Sequence, residues 1–375
     1  MASSLSRRAW IRQSAMAAAI LPVSRWYNVG NEALAPHPTA DEIRLIRLGS
    51  NENPYGPSAV VRQAIAESLN EANRYPWGMI GRLREEIAKK EDLPPECVIV
   101  TAGSTELLGL AGLTFGLAGG EMAACAPTFD FLMIYAERLG CTWARTPLDQ
   151  HYQYDLDALD RIIGTETRLI FVCNPNNPTG IEIPHARLTS FCETHGSRIP
   201  LYVDEAYIEL SPGGRSSSMA SLIEQHPKII IGRTFSKIHG LAGMRIGYGL
   251  AHPDVIKKME QFHMGRNMTL SIPACAAAVA ALGDAAFEEF SKQKTTEGRE
   301  MICDHFNQWG VRYLPSAANF VCFSNEQFSA RPAEALHHEN IIIRDYAYFP
   351  GWSRVSVGTT EENKIFLDSL SQYRA

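Results

Sequence analysis

Two rhythms of apolar residues run along this chain. Short apolar runs, many of them β-branched, recur at 97–101, 122–125, 169–173, 201–204 and 228–232, with further strand-like runs at 141–148 and 244–250. Runs without polar alternation predict strands buried on both faces, as in a parallel sheet covered by helices. Between them lie stretches with helical spacing. Examples are the apolar 107–115, the amphipathic 81–90, and a helix from Ser58 to about Asn70 with the serine as its cap. Beyond Pro253 the pattern predicts a long helical tract to about Leu282 and a charged helix over 286–308. Short strands then follow at 311–314, 319–323, 341–344 and 353–357, with a last helix over 360–372. Alternating strands and helices followed by a change of pattern predict an α/β domain joined to a smaller α+β domain.

Length and composition agree with this division. A chain of 375 residues, 45% hydrophobic and 20% charged, can bury a large core and ordinarily forms more than one domain. A net charge of −6 gives no basis for nucleic acid as a partner. The eight cysteines contain no C-x-x-C pair and mostly sit in apolar runs, which points to core packing rather than to a metal site or a disulfide framework. No apolar stretch is long enough to span a bilayer. Residues 1–40 differ from the rest. Arg7 and Arg8 precede an apolar segment at 15–21, and no acidic residue occurs before Glu32, a pattern resembling a twin-arginine export signal. Export to the periplasm is therefore the expectation, with a transit peptide or a plain amphipathic helix as alternatives.

Chemistry-bearing residues gather just past the strand ends. The run 97–101 leads into Ala102-Gly-Ser-Thr105 and a helix, which suits a phosphate held on free backbone N–H groups and suits a simple helix cap equally. The run 169–173 enters Asn174-Pro-Asn-Asn-Pro-Thr-Gly180, more rigid than a turn requires, with Asn177 offering an amide. The run 201–204 ends in Asp204, a helix cap or the buried partner of a cation. The run 228–232 leads to Lys237, in a glycine-containing loop with Ser236 on one side and Arg245 beyond. A lysine there is usually solvated; beside cations it gives up its proton more readily, as carbonyl chemistry requires. In a parallel sheet these ends lie along one edge, where ligands bind, so Asn177, Asp204 and Lys237 converge. Arg344 and Arg354 fall on predicted strands of the smaller domain and suit anionic substrates.

These motifs, with Asn51-Glu-Asn-Pro-Tyr55, Arg74-Tyr-Pro76, Asp204-Glu-Ala-Tyr207, Leu241-Ala-Gly-Met-Arg245 and Arg354-Val-Ser-Val-Gly-Thr359, resemble the fold-type I pyridoxal-phosphate aminotransferases. Within that family the histidinol-phosphate branch is the most similar. The resemblance runs from about residue 45 to the end. It implies a mostly parallel seven-stranded sheet flanked by helices in a large cofactor domain at 71–284, and a small α+β domain built from 41–70 and 285–375. It also implies roles. Lys237 holds the cofactor covalently and moves the proton. Asp204 pairs with the ring nitrogen, Asn177 and Tyr207 meet the ring oxygen, and Phe129 stacks on the ring. Gly103, Ser104, Thr105, Ser236 and Arg245 hold the phosphate, and Tyr75 reaches the phosphate of a second copy in a homodimer. Arg354 takes the carboxylate of glutamate or 2-oxoglutarate, and Tyr55 and Arg344 meet the distal phosphate of the amine. The implied reaction is transamination, with L-histidinol phosphate the expected amine. Another aromatic or phosphorylated amino acid, or decarboxylation of a threonine-phosphate-like substrate, stays open on the same pocket. No metal is implied.

Overall fold

The computed structural model describes residues 45–264 and 269–374. The signal-like segment 1–40 lies outside the described residues. Strands occur in chain order as β1 (Ile46–Arg47), β2 (Val98–Thr101), β3 (Gly120–Ala126), β4 (Cys141–Pro147), β5 (Thr167–Cys173) and β6 (Leu201–Asp204). They continue as β7 (Ile229–Thr234), β8 (Gly247–Ala251), β9 (Phe320–Ser324), β10 (Ile341–Ile342), β11 (Arg344–Asp345) and β12 (Trp352–Ser356).

Seven strands form the main sheet in the order β2-β8-β7-β6-β5-β3-β4. All neighbours are parallel except β8, which runs against both β2 and β7. The central strands β6 and β7 are buried at every position, which is why their sequences carry no polar alternation. Ile229, Ile230 and Ile231 have no exposed surface, and burial of each such side chain is worth roughly 1.5–3 kcal/mol. Helices cover both faces and give two apolar layers, one including Leu83, Ile87 and Ala277, the other Leu107, Leu132 and Met259. Register places the site: Asp204 at the end of β6 pairs with Cys173 of β5 and with Gly232 of β7. The loops that leave these three strands therefore start level, along one edge.

The smaller sheet is antiparallel, in the order β11-β12-β9, and β1 pairs with β10 in a two-stranded parallel ribbon beside it. Its core is aromatic, with the Phe306 and Phe323 ring centroids 4.8 Å apart, and Phe366 belongs to the same cluster. Thr359 and Glu362 form a reciprocal capping box that starts the last helix, Thr360–Ser371.

Several expected elements differ. The tract after Pro253 is two helices, Pro253–Glu260 and Ile272–Gly283, and the second begins where the Ser271 hydroxyl accepts from the Ala274 amide. Residues 311–314 form no strand; Tyr313 makes a single bridge to Phe323. The run 341–344 divides between β10 and β11. The described part of 41–70, residues 45–70, also divides. β1 joins the small ribbon, whereas the helix Ala59–Ser68 puts Val61 into the core of the large sheet, beside the helix Ile272–Gly283. None of the eight cysteines is in a disulfide, and all but the half-buried Cys303 are buried. No helix among the described residues is long and apolar enough to cross a membrane.

Candidate active site

A cavity of about 760 Å³ opens at the carboxyl ends of β5, β6 and β7, roofed by β11, β12 and the segment after β1. Its floor is built from the loops that leave the strands. After β2, Gly103 turns the chain at φ +80° into the helix Ser104–Gly116, so the free N–H groups of the first helical turn face outward beside the Ser104 and Thr105 hydroxyls. A Cβ at Gly103 would stand 2.5 Å from Arg245 Nη2. Gly103, which does not itself line the cavity, leaves room for the guanidinium. Gly247 does the same where β8 begins, since a Cβ there would meet the Ser104 amide at 2.7 Å. Arg245 sits at φ +52° and donates from Nη1 to the Ala242 carbonyl at 2.8 Å. The Ser236 hydroxyl accepts from Thr234 Oγ1 at 2.9 Å.

Asp204 is 2% exposed at the end of β6, and its Oδ1 accepts from the Ala206 amide at 3.1 Å. Burial pushes its pKa up to about 7, opposed by that amide and by the Lys237 ammonium. Lys237 extends into the same cavity, where Nζ donates to the Ser50 carbonyl at 3.3 Å and lies 5.6 Å from the Tyr207 ring centre. Removal from water, and then Arg354, lower its pKa to about 8, against the pull of Glu52 and Asp204. The pair therefore poises a readily deprotonated amine and a carboxyl that gains from a cation partner. Tyr207 accepts from Asn51 Nδ2 at 2.9 Å. Arg354, 4% exposed, donates from Nη1 to Asn177 Oδ1 at 2.6 Å and from Nη2 to the Gly49 carbonyl at 2.7 Å. Its Nε is buried and has no hydrogen-bond partner among the described residues.

The structure brings Ser104, Thr105, Phe129, Asn177, Asp204, Tyr207, Ser236, Lys237, Arg245, Arg344 and Arg354 to this one cavity. Two residues lie elsewhere. Tyr55 packs edge-on against Phe290 at 5.2 Å and does not line the cavity, so its expected contact with a substrate phosphate finds no support within one chain. Tyr75 is 71% exposed, with its ring 5.9 Å from that of Trp77.

Sequence reasoning passed over the groups that hold these residues in place. Asn51, at φ +55°, donates to Tyr207 while its backbone amide donates to Ser356 Oγ at 2.8 Å, which joins the large sheet to β12. The Asn51-Glu-Asn-Pro motif signalled this position, but its partners are more than 150 residues away in sequence. Behind Asp204 lies a buried ion network. Arg233 on β7 bonds Glu205 at 2.8 Å and lies 3.4 Å from Glu209 and 3.6 Å from Glu91. Arg215 pairs with Glu91 and, at 2.9 Å, with Glu209. Burial opposes the charge on Glu91, yet Arg233 and Arg215 outweigh it and hold its pKa below the usual carboxylate value. The charges come from the end of the helix Trp77–Glu91, the turns after β6 and strand β7, so no local motif announces them.

The donor set fits pyridoxal phosphate. Hydroxyls, helix N–H groups and Arg245 suit a phosphate, Asp204 suits a ring nitrogen, and Lys237 suits an aldehyde. When bound, that cofactor supplies an electron-withdrawing ring that stabilises charge at the substrate carbon.

Comparison with known proteins agrees with this geometry. The sequence model of the family described as aminotransferase class I and II matches residues 43–370. A histidinol-phosphate aminotransferase from Anaeromyxobacter is 36% identical over 356 residues, covering 93% of each chain. One from Moorella thermoacetica is 34% identical, covering 88% of this chain and 86% of the relative. A crystal structure of the histidinol-phosphate aminotransferase from Sinorhizobium meliloti, in complex with pyridoxal 5′-phosphate, is similar at a TM-score of 0.79 and 27% identity over 88% of this chain and 90% of that one. The chain belongs to the class I and II aminotransferases and is a pyridoxal-phosphate-dependent transaminase.

Proposed function

We propose that the amine substrate is L-histidinol phosphate, with its amino group exchanged against the 2-oxoglutarate and glutamate pair. One observation carries the reading. Arg344 and Arg354 stand directly opposite each other in the β11–β12 pairing, and both open on the cavity. Opposed residues of an antiparallel pair share a face, and like charges placed so are destabilising unless an anion lies between or beside them. Arg354 is buried and close to Lys237, as a carboxylate next to the reacting carbon requires. Arg344 is exposed at the mouth, as the terminal phosphate of a longer amine requires. A substrate set that is doubly acidic in one half-reaction and phosphorylated in the other satisfies both. The names of the relatives support the same choice.

Within this reading, Lys237 moves the proton at the substrate carbon, and Asp204 keeps its charge against the ring nitrogen. Asn177 and Tyr207 orient the ring oxygen, and Phe129 covers a ring face. A panel of amines assayed with 2-oxoglutarate tests it. Histidinol phosphate should give the highest kcat/KM, and equal turnover of unphosphorylated histidinol would sink the assignment. Release of carbon dioxide from an amino-acid phosphate, without dependence on 2-oxoglutarate, would favour decarboxylation instead.

Two further proposals accompany it. The protein works as a homodimer in which Tyr75, exposed beside the likewise exposed Trp77, meets the phosphate of the partner's cofactor. Sedimentation would show a dimer, and Tyr75→Phe would weaken cofactor retention. The paired arginines and apolar segment within residues 1–40 support export. Cell fractionation with N-terminal sequencing of the mature protein tests that.

A further inference from the structure

Asp130 follows Phe129 directly and occupies the cap position just before the short helix Phe131–Glu137. Aspartate at that position ordinarily accepts from backbone N–H groups two or three residues on. Here the side chain makes no capping bond. Asp130 instead lines the cavity, close to Tyr346 and Tyr348, which also lie near Arg344. Among the described residues its carboxylate meets only its own backbone amide, and no cation pairs with it. Arg344, which lines the same cavity, makes no ion pair or side-chain hydrogen bond among the described residues. The neighbouring tyrosine rings lie 5.1 Å apart and add flat surface. Half-burial, and Glu137 nearby, raise the carboxyl pKa, so a positively charged or N–H-bearing group beside it would be gained rather than lost.

A carboxylate and a guanidinium lining one cavity, both close to the same pair of aromatic rings, describe a bipolar ligand. We propose that Asp130 is a specificity-determining residue that accepts a hydrogen bond from a ring N–H of the amine substrate's side chain, while Arg344 takes its anionic end. The inference rests on the phosphorylated-amine reading for the Arg344 half, and adds that the side chain must carry an N–H donor. Phenyl and alkyl side chains of the same length leave Asp130 desolvated without a partner.

Binding to the holoenzyme separates this inference from the substrate assignment. The probes are 3-(imidazol-4-yl)propyl phosphate and 3-phenylpropyl phosphate, measured by calorimetry at neutral pH. Wild-type protein should bind the imidazole compound about ten-fold or more tightly, the usual scale of a hydrogen bond to a charged acceptor. Asp130→Asn should reduce that ratio to near one. Arg344→Gln should weaken both compounds while the ratio stays. Retention of the cofactor's visible absorbance checks that each variant is loaded. A wild-type ratio near one, or an unchanged ratio in Asp130→Asn, overturns the role of Asp130. Failure of the enzyme to turn over histidinol phosphate, with the ratio behaving as stated, overturns only the substrate assignment.

Discussion

Arg354 donates a 2.6 Å hydrogen bond to Asn177, and this bond joins β12 of the small sheet to the loop after β5 of the large one. The guanidinium is thereby aimed before any substrate arrives. The same asparagine side chain borders the space next to Lys237 and Tyr207.

Asn177→Ala should therefore damage two functions at once. A hydrogen bond to a charged group is worth roughly 1.5–3 kcal/mol, or about ten- to a hundred-fold in an equilibrium. Steady-state kinetics should show a higher KM for 2-oxoglutarate, and equilibrium dialysis should show weaker cofactor retention. If only one of the two changes, the bond does not couple the sites.

Lys237 reacts as a neutral amine, and its pKa is lowered to about 8 by burial and then by Arg354. The rate at which cofactor-free protein takes up pyridoxal phosphate should rise with pH and level off above about 8. Arg354→Gln removes the second cause and should move the midpoint upward. Lys237→Ala should lower turnover about a thousand-fold or more and abolish the absorbance of the covalently held cofactor. A midpoint near 10 in wild-type protein would contradict the burial of this amine.

Asp204 bears on stability with the opposite sign from a salt-bridged carboxylate. Its folded pKa, about 7, lies above the ordinary 3.8, so the folded form without cofactor holds a proton that the unfolded form has lost. Stability from this group is intact below about pH 4 and falls as pH rises through 7. A shift of this size corresponds to about 4 kcal/mol. Cofactor-free Asp204→Asn should accordingly melt higher than cofactor-free wild type at pH 8, while losing catalysis. Denaturant unfolding of both proteins at pH 5 and pH 8 measures it, and an equal difference at the two pH values refutes it.

Arg233 is 1% exposed and shares Glu205, itself 1% exposed, with the Ser218 hydroxyl and the Met219 amide. Arg233→Ala leaves that carboxylate buried without its cation and should cost about 3–5 kcal/mol in unfolding free energy. Because Glu205 adjoins Asp204, cofactor affinity should fall as well. A loss under 1 kcal/mol would show that water replaces the guanidinium.

The sequence by itself determined the strands of the large sheet and the cofactor loops. Runs such as 169–173 and 201–204 carry no polar alternation because both faces are covered, and that pattern is local. Asp204, Asn177 and Lys237 were legible for a related reason: each follows its strand within a few residues, so finding the strand ends finds them. Only the tertiary structure decided what lies opposite what. The Arg344–Arg354 pairing depends on the register of β11 against β12, and the Asn51–Tyr207 bond on packing between segments 156 residues apart. The freed carboxylate of Asp130 and the ion network around Arg233 likewise depend on neighbours from distant parts of the chain. Hydrophobic periodicity reports the partner a residue avoids, water, whereas hydrogen bonds and ion pairs require a particular partner, and that partner is chosen only when the chain folds.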